Sequence, residues 1–177
     1  MKVLNKGFIQ VYTGNGKGKS TAAIGQIIRA AGFGYKSFIL MLMKEFPYNE
    51  IKIFEQLKNF ISFAQVGKDD FVFRKELPSE FEKQKVADAL ADFTNKMLSN
   101  EYDVLVLDEI FVAIYFRLTT TEELIRIIKQ KPENVELILT GRYCPQEIIE
   151  MADLVTEMNE IKHYYQKGIL ARRGIES

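Results

Sequence analysis

The sequence predicts an α/β fold with a mostly parallel β-sheet and helices on both of its faces. Short, continuously apolar runs alternate with longer stretches in which apolar residues recur every three or four positions, a pattern typical of buried strands alternating with amphipathic helices. A Gly-rich segment also separates the first strand-like run from the first helical stretch. Since the 177 residues contain no internal repeat and no Gly/Ser linker, we expect a single domain spanning residues 1–177.

The amino-terminal third begins with a predicted strand at residues 8–12 and continues, after the Gly-rich segment, with a helix from residue 19 to about residue 31. Gly32 and Gly34 are suitable stop signals for this helix. Residues 37–43, SFILMLM, are apolar without interruption, as expected for a strand that is covered on both faces.

Two later helices are marked by capping-box spacing, in which a Ser or Thr is followed three residues later by Glu. Ser79 and Glu82 precede a helical stretch whose apolar positions are Val86, Ala89, Leu90, Phe93 and Met97. Thr120 and Glu123 precede a shorter stretch that carries Leu124, Ile127 and Ile128. Pro145 suits the first turn of a further helix.

The remaining strands are predicted at residues 61–66, which is the weaker candidate, and at residues 104–107, 135–140 and 154–158. The apolar run at 104–107 ends at Asp108 and Glu109. The order of the strands in the sheet cannot be predicted from the sequence.

Composition excludes several classes of protein. The chain has 24 basic and 24 acidic residues, so no net field attracts nucleic acid or acidic lipid. Cys144 is the single cysteine, which excludes an internal disulfide and a multi-cysteine metal site. No segment reaches the roughly 18 to 20 apolar residues of a membrane helix. We therefore expect a cytoplasmic protein with neither a nucleic-acid nor a membrane partner.

The Gly-rich segment at residues 14–21, named here the phosphate loop, carries the clearest functional signal. Glycines permit positive φ angles and let backbone N–H groups approach an anion closely. Lys19 adds a positive charge, Ser20 adds a hydroxyl that can bind Mg²⁺, and the helix beginning at Lys19 adds its positive dipole end. This pattern predicts binding of the triphosphate of ATP. The candidate nucleotide-binding residues are Gly14, Asn15, Gly16, Lys17, Gly18, Lys19, Ser20 and Thr21.

One position departs from the general motif G-x-x-x-x-G-K-[ST], because its first glycine would fall at Thr13 whereas the chain places it at Gly14. A flexible Gly/Lys turn without a ligand is the alternative interpretation. Arg142, which follows the strand at 135–140, is a further candidate for contact with phosphate. An ordinary surface arginine is the alternative there.

Asp108 and Glu109 are candidate metal ligands together with Ser20. Both carboxylates follow a buried strand, and the carboxyl ends of strands form the edge at which ligands bind in open α/β sheets. A carboxylate there can hold Mg²⁺ directly or through water. The sequence does not decide which of the two reaches the metal, and an ordinary acidic pair is the alternative.

Five segments in order resemble the P-loop ATP:corrinoid adenosyltransferases, a family with a RecA-like P-loop NTPase fold. The segments are TGNGKGKSTAA, VLDEI, LILTGR, ADLVTEM and KHYYQKGILARRGIE. The resemblance extends from about residue 8 to residue 176. It implies transfer of the 5′-deoxyadenosyl group of ATP to the Co(I) of a corrinoid, with release of triphosphate, in cobalamin biosynthesis or salvage. In this family ATP lies in the loop in the reverse of its usual direction.

The resemblance also implies roles for particular residues and partners. Lys19, the loop N–H groups and Mg²⁺ would stabilise the departing triphosphate. Phe71 and Phe73 match an aromatic motif that displaces the lower ligand of Co(II), with Phe73 in place of a tryptophan. Packing of these two residues in the core is the alternative. A homodimer and an electron-donating, flavodoxin-like reductase are the implied partners.

Two other functions remain open from the sequence. One is a P-loop ATPase or nucleotide kinase in which Glu109 acts as the catalytic base, although the chain has no Arg-rich lid segment. The other is a non-catalytic module in which ATP switches a partner interface. The nature of the product distinguishes all three, because only an adenosyltransferase releases triphosphate.

Overall fold

The computed structural model describes residues 4–44, 48–67 and 76–176 and contains a single six-stranded sheet. Its strands are β1 (Ile9–Thr13), β2 (Ser37–Leu42), β3 (Ile61–Val66), β4 (Val104–Asp108), β5 (Glu136–Thr140) and β6 (Leu154–Glu157). The strand order is β3-β2-β4-β5-β1-β6, and every neighbouring pair is parallel. The α/β prediction is confirmed, and each predicted strand is present with ends shifted by at most one residue. The fold is consistent with the RecA-like P-loop type.

The helices of the described residues are α1 (Lys19–Phe33), α2 (Glu50–Gln56), α3 (Glu80–Leu98), α4 (Ile110–Tyr115), α5 (Thr121–Lys129) and α6 (Gln146–Met151), with a 3-10 turn at Tyr164–Lys167. The predicted helices α1, α3, α5 and α6 are confirmed. The short helices α2 and α4 were not predicted. No side chain caps the start of either one, so both lack the signal that marked α3 and α5.

The ends of the predicted helices have the local chemistry that the sequence indicated. Ser79 accepts a hydrogen bond from the backbone N–H of Glu82, and the Glu82 carboxylate accepts one from the N–H of Ser79, which completes the capping box of α3. Thr120 caps α5 through the N–H of Glu123. Gly34 ends α1 with a φ of 101° in the left-handed region, where glycine is favoured.

Apolar side chains of the sheet alternate between two cores, one on each face. On one face, Ile39 and Met41 of β2 pack with α1 and α2. On the other face, Phe38, Leu40 and Leu42 pack with α3, α4, α5 and α6. Both faces of the central strands are therefore buried, which explains why their sequences are apolar without interruption.

Parallel pairing places the carboxyl ends of all six strands along one edge of the sheet. The phosphate loop leaves β1 at this edge, Lys44 follows β2, Glu109 follows β4 and Arg142 follows β5. Residues far apart in the chain thus meet in one region. None of the helices in the described part of the chain is both long and apolar enough to cross a membrane.

Candidate active site

The phosphate loop is shaped by close contact with the residue that follows β6. Gly16 donates its N–H to the carbonyl oxygen of Met158 at 2.6 Å, and Met158 donates its own N–H to the carbonyl oxygen of Thr13 at 2.8 Å. A Cβ atom at Gly14 or Gly16 would lie 2.5 or 2.7 Å from that Met158 oxygen. Gly14 also has a φ of 93°. Glycine is therefore required at position 14, whereas Thr13 is the buried last residue of β1.

Lys19 lies at the first position of α1 and turns back over the loop. Its Nζ donates a hydrogen bond to the carbonyl oxygen of Gly16 at 2.7 Å, and the side chain is buried. Burial lowers the pKa of Lys19, and the nearby Glu109 carboxylate opposes this effect. No side chain caps the start of α1, so the positive end of this 15-residue helix faces the loop as an anion site.

Asp108 is fully buried, and both of its carboxylate oxygens accept hydrogen bonds, one from a residue of β5 and one from a residue that follows β2. Oδ2 accepts from Nζ of Lys44 at 2.6 Å, and Oδ1 accepts from the Thr140 hydroxyl at 2.6 Å. Burial lowers the pKa of Lys44, but the charge and hydrogen bond of Asp108 outweigh that effect and raise it overall. Asp108 therefore holds a buried lysine in place.

Glu109 is the member of the acidic pair that is turned toward solvent-accessible space. Its φ of 61° places it in the left-handed region, an uncommon conformation for a residue other than glycine and one that occurs at functional sites. Its N–H donates to the Thr140 hydroxyl oxygen at 3.0 Å. Burial and the neighbouring Asp108 raise the pKa of Glu109. The structure thus favours Glu109 over Asp108 as the carboxylate available to a ligand.

A cavity of about 510 Å³ joins most of the predicted site residues. Its lining includes Gly16, Lys17, Gly18, Lys19, Ser20, Thr21, Glu109 and Arg142. Gly14, Asn15 and Asp108 do not line it: Gly14 shapes the loop and Asp108 holds Lys44. Residues from the last part of the described chain also line it, namely His163, Gly174, Ile175 and Glu176. We call this space the phosphate cavity.

Two further cavities adjoin the phosphate cavity. One, of about 540 Å³, shares Lys44, Glu109, Arg142 and His163 with it and is lined by aromatic side chains, including Tyr115, Phe116, Tyr143 and Tyr165. The other, of about 800 Å³, lies between the end of β3 and the start of α3, and its apolar lining comprises Val66, Leu77, Phe81, Val86 and Leu118. Lys44 lines all three cavities.

The predicted aromatic pair Phe71 and Phe73 lies outside the described residues. The described residues on either side of that gap, Gly67 and Glu76, both line the 800 Å³ cavity.

Sequence reasoning missed several residues of the site. Lys44 follows an apolar run directly, as Asp108 does, so the rule that found Asp108 could have found Lys44. Thr140 ends a predicted strand, and its bond to Asp108 depends on β4 and β5 being neighbours. His163, the single histidine of the chain, uses Nδ1 to accept the N–H of Tyr165 at 3.1 Å. Glu176 ends the last of the five segments that carry the family resemblance, but no role was predicted for it.

Comparison with known proteins decides the family. The sequence model of the family described as "ATP:corrinoid adenosyltransferase BtuR/CobO/CobP" matches residues 5–177. The chain belongs to this family. Similar proteins named corrinoid adenosyltransferase occur in Sinorhizobium sp (34% identity over 99% of this chain and 82% of the relative) and in Escherichia coli K12 (30% over 97% and 86%). The "Corrinoid adenosyltransferase CobA" of Salmonella typhimurium is 32% identical over 97% of this chain and 86% of its own. As a member of the corrinoid adenosyltransferase family, the chain is a transferase, and the ATPase or kinase alternative is not favoured.

Proposed function

We propose that this chain transfers the 5′-deoxyadenosyl group of ATP to the Co(I) of a corrinoid and releases triphosphate, in cobalamin biosynthesis or salvage. The observation that carries the proposal is the phosphate cavity, in which Lys19, Ser20 and Arg142 of a corrinoid adenosyltransferase family member surround one space. A second large cavity beside it, lined by both apolar and charged side chains, provides space for another substrate.

The chemistry requires positioning and charge stabilisation and no nucleophile from the protein. Co(I) supplies the electron pair that forms the bond to the 5′ carbon, and the bond from that carbon to oxygen breaks. Its electron pair remains on the triphosphate. Lys19, the loop N–H groups and Arg142 stabilise the charge that develops there, in a site shaped before the reaction begins.

Ser20 and Glu109 fit a magnesium ion that enters with ATP. Mg²⁺ commonly binds one or two protein groups and completes its shell with phosphate oxygens and water. Within the described residues, no three His, Cys, Asp or Glu side chains are grouped to hold a metal on their own. Bound there, Mg²⁺ would neutralise triphosphate charge. Asp108 supports this site indirectly, because Lys44 and Thr140 occupy its oxygens.

The 800 Å³ cavity is our candidate for the corrinoid. Its walls are apolar at Val66, Leu77 and Phe81, and Gly67 and Glu76, the described residues on either side of Phe71 and Phe73, also line it. We assign Phe71 and Phe73 the role of displacing the lower ligand of Co(II). The proposal further includes a single domain over residues 1–177, a homodimer, a cytoplasmic location and a flavodoxin-like electron donor.

Anaerobic incubation with Co(I)alamin and Mg-ATP tests the function. We expect the corrinoid spectrum to change to that of an adenosylated product while triphosphate appears in equal amount. Lys19→Ala should abolish both signals, and Lys129→Ala, an exposed lysine of α5, should leave both intact. Formation of ADP and phosphate without any need for corrinoid would instead support the ATPase alternative.

A further inference from the structure

The last part of the described chain, residues 160–176, forms one wall of the phosphate cavity through His163, Gly174, Ile175 and Glu176. The apolar side chains of this wall segment are largely exposed, including Ile161 at 98% and Leu170 at 71%. Packing into the core therefore does not explain its position. Its polar contacts are a better guide to what holds it beside the loop.

Glu176 is the centre of those contacts. Its carboxylate accepts hydrogen bonds from the Arg172 backbone N–H at 2.9 Å, from the Arg172 guanidinium and from the Tyr164 hydroxyl. The Arg172 guanidinium also lies over the Tyr164 ring, 4.8 Å from its centroid. Arg172 and then Tyr164 hold the pKa of Glu176 at about 2. The carboxylate is therefore negatively charged at neutral pH.

The same carboxylate reaches the phosphate loop. Glu176 Oε1 lies 3.7 Å from Nζ of Lys17, the residue between Gly16 and Gly18. The Glu176 side chain is 14% exposed and that of Lys17 is 42% exposed. An ion pair that is open to solvent on one side is weak and is readily exchanged. A triphosphate, with several negative charges, is a stronger partner for Lys17 and is repelled by a carboxylate fixed beside it.

We propose that Glu176 is a positioning residue that acts through Lys17 and competes with triphosphate for it. Without nucleotide, Glu176 holds the Lys17 ammonium at the wall segment; triphosphate takes over Lys17 when it binds. Once the adenosyl group has been transferred, the return of Lys17 to Glu176 favours release of the triphosphate product. The inference rests on the proposed function in one respect, namely that the phosphate loop binds triphosphate.

Calorimetric titration of the full chain with inorganic triphosphate tests the competition. We expect Glu176→Gln to tighten binding about fivefold, equivalent to about 1 kcal/mol, because the competitor loses its charge. Glu176→Asp keeps the charge and should remain within about twofold of wild type. In a Lys17→Met background, the gain in triphosphate affinity from Glu176→Gln should be at least threefold smaller than the gain in the wild-type background. Glu101→Gln, an exposed residue before β4, is the matched control and should change nothing.

A purely structural role for Glu176 predicts the opposite change in affinity, since Glu176→Gln would then loosen the wall segment and weaken triphosphate binding. Weaker or unchanged binding by Glu176→Gln therefore overturns the inference and leaves the adenosyltransferase proposal standing. An equal gain in the Lys17→Met background also overturns it, because the effect would not pass through Lys17. Failure of the wild-type protein to bind triphosphate at all contradicts the phosphate-loop assignment itself and this inference with it.

Discussion

The buried ion pair between Lys44 and Asp108 makes a strong prediction about stability. The two charges lie 2.6 Å apart, and their side chains are 9% and 0% exposed. Replacing one member of such a pair leaves an uncompensated buried charge or dipole and costs about 3–5 kcal/mol. That is a large part of the roughly 5–15 kcal/mol that stabilises a typical protein. For a chain of this size, we expect Asp108→Asn to lower Tm by roughly 6–20 °C, at about 2–4 °C per kcal/mol.

Urea unfolding at pH 7 of wild type, Asp108→Asn, Lys44→Met and the double variant provides the assay. Since the pKa of Lys44 is raised, its contribution to stability is complete below the ordinary lysine value of about 10.4 and is lost only as the pH rises above it. The double variant removes both charges and should be more stable than Asp108→Asn alone. A cost below about 1 kcal/mol for Asp108→Asn, or additive effects of the two changes, would refute the reasoning.

The remaining predictions concern two glycines, Glu109 and the aromatic motif. Gly16→Ala should lower the free energy of unfolding by about 1–3 kcal/mol and weaken ATP binding, since its Cβ would meet the Met158 oxygen at 2.7 Å. Gly25→Ala is the control in the same urea assay: a Cβ at this position of α1 has open space around it, so the substitution should raise the free energy of unfolding by about 0.5–1 kcal/mol. Because the pKa of Glu109 is raised, this residue's contribution to stability should be lost as the pH rises through and above the ordinary value of 4.5. Glu109→Gln should not show this loss of stability in thermal scans, and it should bind Mg-ATP less tightly than wild type does. Profiles of Tm against pH that run parallel in the two proteins would contradict the raised pKa of Glu109. Phe71→Ala should slow turnover of Co(II) substrate with a reductant and spare pre-reduced Co(I); equal rates on Co(II) would remove the aromatic wedge from the mechanism.

The sequence was sufficient to locate the strands, though not their order, because the central strands β2, β4 and β5 are largely apolar runs that end at a turn or a charge. It was sufficient for α3 and α5 because Ser79 and Thr120 mark their starts. It missed α4, where IFVAIY has no capping residue and no helical spacing of polar positions. Short uncapped helices depend on packing against the sheet, which a local pattern does not contain.

The site was predicted where one segment carries the chemistry and was missed where distant segments meet. The phosphate loop is continuous in the chain, so its lysine, serine and glycines could be identified together. The choice between Asp108 and Glu109 depends on Lys44, which is 64 residues away from Asp108. The pairing of Glu176 with Lys17 depends on the path of the chain after β6. Neither contact leaves a pattern in the local sequence.

Isotopic labelling of ATP gives the most direct test of attack at the sugar carbon. ATP carrying ¹⁸O at the oxygen between the 5′ carbon and the α-phosphorus would be incubated anaerobically with Co(I) corrinoid, Mg²⁺ and the enzyme. We expect all of the label in the released triphosphate, because the carbon–oxygen bond is the one that breaks. Label that remains on a nucleoside or nucleotide product would show cleavage at phosphorus and would contradict the adenosyltransferase mechanism.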